Sequence, residues 1–161
     1  MFESAIAINE FQIGGFEKIV ADLPESDLFV PGAGHGHPPA WIMGHLAVAG
    51  ESGLIAFGRT PSHPTWTSLF GPQSSDRISF DPSLTKPILS EAVIETYRNL
   101  RELASTADPE LMARRHRVPL FYGTSIRTVG DCLTLLLTNH FGFHLSQLSS
   151  CRRAAGFSPL F

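Results

Sequence analysis

The segment that most constrains this chain is the apolar-rich stretch from Cys132 to Cys151, because it carries two histidines on its apolar side. His140 and His144 are four residues apart, so on an α-helix their side chains lie one above the other. Burying imidazole rings is costly unless their nitrogens find hydrogen-bond partners or a metal ion. The spacing therefore predicts a buried helix that contributes to a polar or metal site. The predicted seam is Leu133, Leu137, His140, His144, Leu148 and Cys151.

A third histidine, His45, is predicted on the apolar face of another helix, over residues 38–57. A histidine pair four residues apart on a helix occurs in known zinc sites, but two ligands do not make a firm site. Together the three histidines predict a divalent metal held by His45, His140 and His144. The alternative is that each imidazole bonds to a backbone carbonyl or to Thr138, Asn139 or Gln147. The inward stripe predicted for the helix of His45 is Ile42, His45, Ala49, Ser52 and Ala56, flanked by Leu46 and Gly53.

Four segments have the apolar periodicity of an amphipathic helix, and none alternates convincingly as a strand. The segments are 3–22, 38–57, 85–108 and 128–155. Residues that favour helix ends support these bounds. The second helix is bounded by Pro38-Pro39 and Gly58, and the third begins at Thr85 and Pro87. The segment from Thr128 to Asp131 resembles a capping box at the start of the last helix, which ends before Gly156. The sequence predicts an all-α fold, a four-helix bundle in one domain over residues 1–161.

Residues 59–85 join the second and third helices and are rich in proline, serine and threonine. A connection of this length is unusual in a compact domain, but a bundle needs a long crossover where consecutive helices run parallel. The crossover also carries Trp66, Leu69, Phe70, Ile78 and Phe80. We therefore expect it to pack over the helices instead of forming a free linker.

Three polar residues near these helices are predicted to lie at the surface. Asn9 interrupts the apolar seam of the first helix, and a partly exposed first turn is favoured over a role at the site. Glu51 is six residues from His45, so it points to another side of the helix, where we expect it to be solvated. His63 lies between Pro61 and Pro64 and is expected at the surface.

Two further clusters could bind ligands but have simpler interpretations. His35 and His37 resemble a ligand pair in the turn-rich connector 31–39, yet the glycines around them favour solvated side chains over a metal role. The basic run from Arg114 to Arg117 is typical of a solvated surface, with anion binding as the alternative.

Composition excludes some classes of partner and favours others. The net charge is −3, and no basic stripe is present, which argues against nucleic acid as the main partner. No run approaches ~18 apolar residues, and no signal peptide is visible, so we expect a cytoplasmic protein without a membrane span. Cys132 and Cys151 would lie about 28 Å apart along one helix, too far for a disulfide. A homodimer formed through an exposed helix face is left open.

Two segments of the sequence resemble the DinB/YfiT family of metal-dependent four-helix bundles. One is Trp41-Ile42-Met43-Gly44-His45-Leu46, and the other runs from Asn139 through His140, His144, Gln147 and Arg152 to Gly156. The resemblance implies a divalent metal between the second and fourth helices, held by His45, His140 and His144. Ser146 stands where many members have glycine. Relatives include thiol-dependent transferases and isomerases that use low-molecular-weight thiols, and a hydrolase.

Three neutral ligands would leave a divalent ion an open coordination position. Such an ion lowers the pKa of a bound water to about 7 in zinc enzymes and favours the thiolate form of a thiol. Histidine-only coordination suits zinc, nickel, iron or copper. Gln147 is either an auxiliary group at this site or a plain surface amide, and no carboxylate is in phase to act as a general base. The sequence thus predicts a hydrolase or thiol transferase acting on a small molecule. A non-catalytic metal-binding stress-response protein and a metal-free helical interaction module remain the alternatives.

Overall fold

The computed structural model describes residues 2–32, 34–72, 74–75 and 78–160. Outside them lie Met1 and Phe161, Ala33 of the predicted connector 31–39, and Gln73, Asp76 and Arg77 of the predicted crossover. The described chain forms helices and no strand, apart from an isolated bridge between Arg115 and Thr128. The predicted all-α fold is confirmed, and the arrangement is that of a helical bundle.

Four long helical segments form the bundle, with shorter ones in the connections. In chain order the helices are α1 (Glu3–Asp22), α2 (Pro39–Ile55), α3 (Trp66–Phe70), α4 (Lys86–Ser105), α5 (Pro109–Ala113), α6 (Val129–Leu135) and α7 (Phe141–Ala154). Short 3-10 turns cover Glu25–Asp27 and Pro119–Phe121. A π-helical turn, Leu136–His140, joins α6 to α7, so the last three segments form one continuous rod. In the bundle α2 packs along α4 and α7, and α1 packs along α7 and α4.

The predicted helix ends agree closely with the structure. The Thr85 hydroxyl accepts a hydrogen bond from the Ile88 amide, and Thr128 and Asp131 form a complete capping box. Gly156 has a φ of +95°, as a glycine that stops a helix often has. The end of α2 comes at Ile55, two residues before the predicted Phe57, and the turn beyond it closes on Gly58, which has a φ of +73°.

In the stripe predicted to face inward on α2, Ile42, His45 and the flanking Leu46 and Gly53 are buried, but the other three members are wrong. Ala49 is only half-buried and Ser52 and Ala56 are exposed, whereas every residue from Pro39 to Val48 is buried. The reason is that α2 is the central helix and packs on α4 through glycines. A Cβ on Gly50 would lie 2.5 Å from Thr96 Cγ2, and one on Gly53 would lie 3.0 Å from Leu100 Cδ1. The close contact between α2 and α4 is thus formed by small residues, but these are Gly50 and Gly53 and not Ala49, Ser52 and Ala56.

The π turn also changes the seam predicted for the last helix. The sequence predicts one regular helix, in which His140 shares the core face with Leu137 and His144. In the structure Phe141 takes the core position and is fully buried, while His140 is half-buried at the edge of the core. The other predicted members of the seam are buried as expected: Leu133, Leu137, His144, Leu148 and Cys151. Cys132 and Cys151 are free thiols, as predicted.

Asn9 is fully buried, so its predicted partial exposure is wrong. Its Nδ2 donates to the Leu137 carbonyl at 3.0 Å, and its Oδ1 accepts from Arg101 Nη1 at 2.8 Å. A buried amide is tolerated because both of its ends are hydrogen-bonded. Asn9 therefore links α1 to the π turn and to α4.

The crossover packs over the helices, as predicted. Phe70 and Leu84 belong to the core and Trp66 and Ile78 pack against it, whereas Leu69 and Phe80 are exposed. Glu51, however, is not solvated: its buried carboxylate accepts hydrogen bonds from the amides of Ser62 and His63, both at 3.1 Å. It also lies 2.8 Å from His63 Nδ1, and the His63 ring stacks on Trp66 at a centroid distance of 4.2 Å. The surface assignment of Glu51 is therefore wrong. His63, whose side chain is 28% exposed, lies only partly at the surface, because it and Glu51 attach the crossover to α2.

Among the described residues, no helix combines the length and the apolar character that crossing a membrane requires. The run from Arg114 to Arg117 has exposed arginines and lies in the connection between α5 and α6, consistent with a solvated surface. His116 is the exception, because its Nε2 lies 2.8 Å from the carbonyl of Ile126.

Candidate metal centre

Three histidines from two helical rods meet at one point of the bundle. His45 comes from α2, His140 from the end of the π turn and His144 from the first turn of α7. The ring centroids of His45 and His140 are 5.2 Å apart, and His144 lies 4.7 Å from each. One ring nitrogen of each histidine lies within 4.8 Å of those of the other two. The predicted convergence of the three rings is confirmed.

The spacing of two of these nitrogens fits a shared metal ion. The Nε2 atoms of His45 and His140 are 3.2 Å apart. Two imidazole nitrogens bound at ~2.1 Å to a tetrahedral zinc ion are separated by about 3.4 Å. The distance between the Nε2 atoms of His45 and His140 thus needs only a small adjustment for both to bind one ion. The His144 ring needs a modest shift toward them. The donor set is compatible with zinc, nickel or iron.

A backbone carbonyl orients the ring of His45. Its Nδ1 lies 2.6 Å from the carbonyl oxygen of Phe70, which can only accept, so Nδ1 carries the proton. The lone pair of Nε2 then points toward the other two rings. Phe70 ends α3 in the crossover, so a segment distant in sequence orients this histidine. Sequence reasoning missed the contact because any residue type can supply a carbonyl.

Gln147 orients the ring of His144. Its Oε1 lies 2.8 Å from His144 Nδ1 and accepts the Nδ1 proton, which leaves Nε2 available for coordination. The two residues are three apart on α7, where side chains are neighbours. Of the two interpretations that the sequence left open for Gln147, the contact with a site histidine is the one observed.

His140 differs from the other two histidines. Its Nδ1 is buried and has no hydrogen-bond partner among the described residues. The ring packs between His45 and His144, with its Nε2 toward His45. No side chain or carbonyl of the described chain therefore orients this ring through its second nitrogen.

Burial keeps the three imidazoles neutral. Burial, together with the nearby His45, lowers the pKa of His140 to about 4. Burial, with the nearby His140 and His45, lowers the pKa of His144 to about 3 against the opposing effect of the Gln147 hydrogen bond. Burial also lowers the pKa of His45, although its bond to Phe70 acts in the opposite direction. At neutral pH all three rings are therefore in the form that binds metals.

A column of stacked rings extends from His45 toward the connector. The indole of Trp41 is parallel to His45 at a centroid distance of 4.7 Å and to His37 at 4.2 Å. Its Nε1 donates to Ser74 Oγ at 3.1 Å. His37 and His35 are half-buried, so their assignment as solvated is wrong. Neither belongs to the histidine cluster found among the described residues, which consists of His45, His140 and His144 without a carboxylate.

Comparison with known proteins agrees with this architecture. No curated protein matches the chain. A family model described as the DinB superfamily matches residues 10–148, a span that includes all three histidines and Gln147. The match covers most of the 161 residues. The chain belongs to the DinB superfamily.

Proposed function

We propose that this protein binds one divalent metal ion through the Nε2 atoms of His45, His140 and His144. The observation that carries the proposal is the 3.2 Å separation of two Nε2 atoms whose rings, with that of His144, occupy one buried cluster. Hydrogen bonds at Nδ1 direct Nε2 of His45 and His144 toward the cluster, as is typical of metal-ligating histidines. Zinc, nickel and iron are the candidate ions.

The residues around the cluster suit a reactive centre better than a closed structural one. A divalent ion held by three neutral imidazoles supplies a Lewis acid with room for a further ligand. Phe143 contacts the His144 ring edge-on at 5.1 Å, and its side chain is 59% exposed, so the site lies close to the surface. Gln147 fixes the tautomer of His144, and burial prevents protons from competing for the ring nitrogens at neutral pH.

From this arrangement we infer a metal-dependent hydrolase or thiol transferase that acts on a small molecule. The absence of a carboxylate from the described cluster favours a reaction in which the ion itself makes water or a thiol more acidic. The sequence resemblance to a family with thiol-dependent members favours a low-molecular-weight thiol as one substrate.

Metal content tests the first part of the proposal. Protein purified without a histidine tag and incubated with zinc, nickel or iron should retain about one ion per chain after desalting, because three converging imidazoles bind divalent ions tightly. H45A, H140A and H144A should each lose the ion. H116A is the matched control, because His116 bonds to the Ile126 carbonyl in a distant connection. A stoichiometry well below one in the wild-type protein, unchanged by added metal, would contradict the proposal.

Reactivity tests the second part. Metal-loaded protein should accelerate transfer of a small thiol to an electrophile, or hydrolysis of an activated ester, and H144A should lose that rate. Metal-loaded protein that binds one ion but turns over neither class of substrate would favour a non-catalytic metal-binding protein.

The metal-free alternative makes a different prediction. The 3.2 Å contact between His45 and His140 can also be a hydrogen bond, with His140 donating to His45. In that case added metal should leave the unfolding temperature of the wild-type protein unchanged. A bound ion should instead raise it in proportion to the logarithm of its concentration.

A further inference from the structure

The three histidines are not oriented in the same way, and the difference concerns His140. His45 bonds to the Phe70 carbonyl and His144 to Gln147, but Nδ1 of His140 has no partner among the described residues. Metal-ligating histidines almost always donate their second N–H to an acceptor that orients the ring. The position of His140 must therefore depend on the backbone that carries it.

That backbone is the π turn, which ends at His140. The amide of Phe141 bonds to the Thr138 carbonyl, three residues back. In a regular α-helix it would bond to the Leu137 carbonyl, four residues back, which here accepts from Asn9. In this turn Phe141 has the core position and His140 lies at the edge of the core, facing His45. Turns of this kind are rare and occur frequently at functional sites. The π turn thus determines where the His140 ring lies.

Two amide side chains of α1 hold the π turn. Asn9 Nδ2 donates to the Leu137 carbonyl at 3.0 Å, and Gln12 Nε2 donates to the Thr138 carbonyl at 3.2 Å. Arg101 of α4 fixes the orientation of the Asn9 amide. Because a guanidinium only donates, its 2.8 Å bond requires Oδ1 on the side of Arg101 and Nδ2 on the side of Leu137.

We propose that Asn9, oriented by Arg101, is a positioning residue of the metal centre: by bonding to Leu137 it holds the π turn that places His140. The inference rests on the proposed metal binding. Among the described residues, the Asn9 side chain hydrogen-bonds to Leu137 and Arg101 and to none of the three histidines, so it acts through the turn. Gln12 acts on the next carbonyl of the same turn. This role accounts for a fully buried amide in the apolar seam of α1.

The test is N9D, which keeps the size of the side chain and an acceptor for Arg101 but replaces the donor that faces Leu137 with an oxygen. Zinc affinity, measured by competition with a chromophoric chelator, should fall at least about tenfold, as for other residues that orient ligands. The visible absorption bands of the cobalt-loaded protein should change as well, because they report the geometry of the ligands.

A matched control separates positioning from general loss of stability. I13V changes a buried residue one turn along α1 and should lower the free energy of unfolding by about 0.5–1.5 kcal/mol. It should leave zinc affinity and the cobalt spectrum unchanged. If N9D does not fold, the same zinc affinity and cobalt spectrum are measured for Q12M. Gln12 is only half-buried and bonds to the same turn, so its substitution should be better tolerated.

The outcomes distinguish this inference from the metal proposal. Wild-type protein that binds no zinc overturns both. Wild-type protein that binds zinc, together with an N9D or Q12M variant of unchanged affinity and cobalt spectrum, overturns the role of α1 alone. A lower zinc affinity with an altered cobalt spectrum in the variant, and neither change in I13V, supports it.

Discussion

At the scale of single residues, the chemistry of the site depends on keeping three imidazoles neutral and pointed at one another. Burial does the first, and it lowers the pKa values of His140 and His144 far below that of a free imidazole. The orientation of the three rings depends on a different group for each histidine: the Phe70 carbonyl for His45, the Gln147 amide for His144 and the π turn for His140. Each of these supports can be removed separately.

Removing the Gln147 amide should weaken metal binding without abolishing it. In Q147A the Nδ1 proton of His144 loses its acceptor, so the ring and its tautomer are no longer fixed. We expect a tenfold to hundredfold lower zinc affinity, the usual effect of losing such a partner. Chelator competition measures it, and S146A, an exposed neighbour on the same turn, is the control. Unchanged affinity in Q147A would contradict an orienting role.

The metal-free protein should lose stability in mild acid. In the unfolded chain histidines titrate near 6.5, whereas folded His140 and His144 titrate at about 4 and about 3. Between these values the unfolded state binds more protons, so the free energy of unfolding falls as the pH falls below 6.5, by up to about 1.4 kcal/mol per pH unit for each histidine.

Above pH 6.5 both states hold these rings neutral, and the contribution of the two histidines is constant. Urea unfolding in the presence of a chelator, at pH 7.5 and 5.5, measures the change. H140A/H144A is the control and should show a smaller difference between the two pH values. An equal difference in both proteins would contradict the assignment.

At the scale of elements, the packing of α2 on α4 sets the frame in which His45 meets the last rod. Gly50 and Gly53 let the two helices approach, since a side chain on either would reach α4. A glycine within a helix costs about 0.5–1 kcal/mol relative to alanine, so these two persist at a cost that the close packing offsets.

Two glycine-to-alanine changes should therefore have opposite effects. In G50A the new Cβ would lie 2.5 Å from Thr96 Cγ2, and we expect a loss of about 1–3 kcal/mol from overpacking, which exceeds the gain in helix propensity. In G14A nothing lies within 4 Å of the new Cβ, so the free energy of unfolding should rise by about 0.5–1 kcal/mol. Chemical denaturation of both variants checks the pair. A stabilised G50A would show that α4 can move away from α2 easily.

At the scale of the whole molecule, the crossover connects the distant parts of the site. Buried Glu51 bonds to the start of the crossover at Ser62 and His63, and Phe70 further along bonds to His45. The stack of His63 on Trp66 and the edge contact of Trp66 with Phe70 at 5.5 Å link the two attachments. The crossover is thus part of the support of the histidine cluster.

Removing the Glu51 carboxylate should loosen this support. E51A leaves the donors of Ser62 and His63 without their acceptor, and a lost buried partner costs about 1–3 kcal/mol. We expect faster proteolysis of the crossover and, through Phe70, a several-fold lower zinc affinity. E17A, an exposed glutamate on α1, should change neither. An E51A variant with faster cleavage but normal zinc affinity would show that the Phe70 contact is independent of the Glu51 attachment.

The sequence by itself determined the helices, their caps and the three histidines. Apolar periodicity predicted the four long helical segments, and local capping chemistry predicted Thr128 as the N-cap of α6, because these signals depend on near neighbours in the chain. The i, i+4 spacing of His140 and His144, with a third histidine at position 45, was enough to predict the cluster.

Only the tertiary structure decided which polar groups support those histidines. Asn9, Glu51 and Phe70 act on residues up to 128 positions away, and nothing local distinguishes them from surface groups or ordinary core residues. The π turn could likewise not be predicted from apolar periodicity, because that pattern is interpreted on the basis of a regular α-helix. The carbonyls of Leu137 and Thr138 in this turn accept hydrogen bonds from the side-chain amides of Asn9 and Gln12, contacts that exist only once the two helices have packed together.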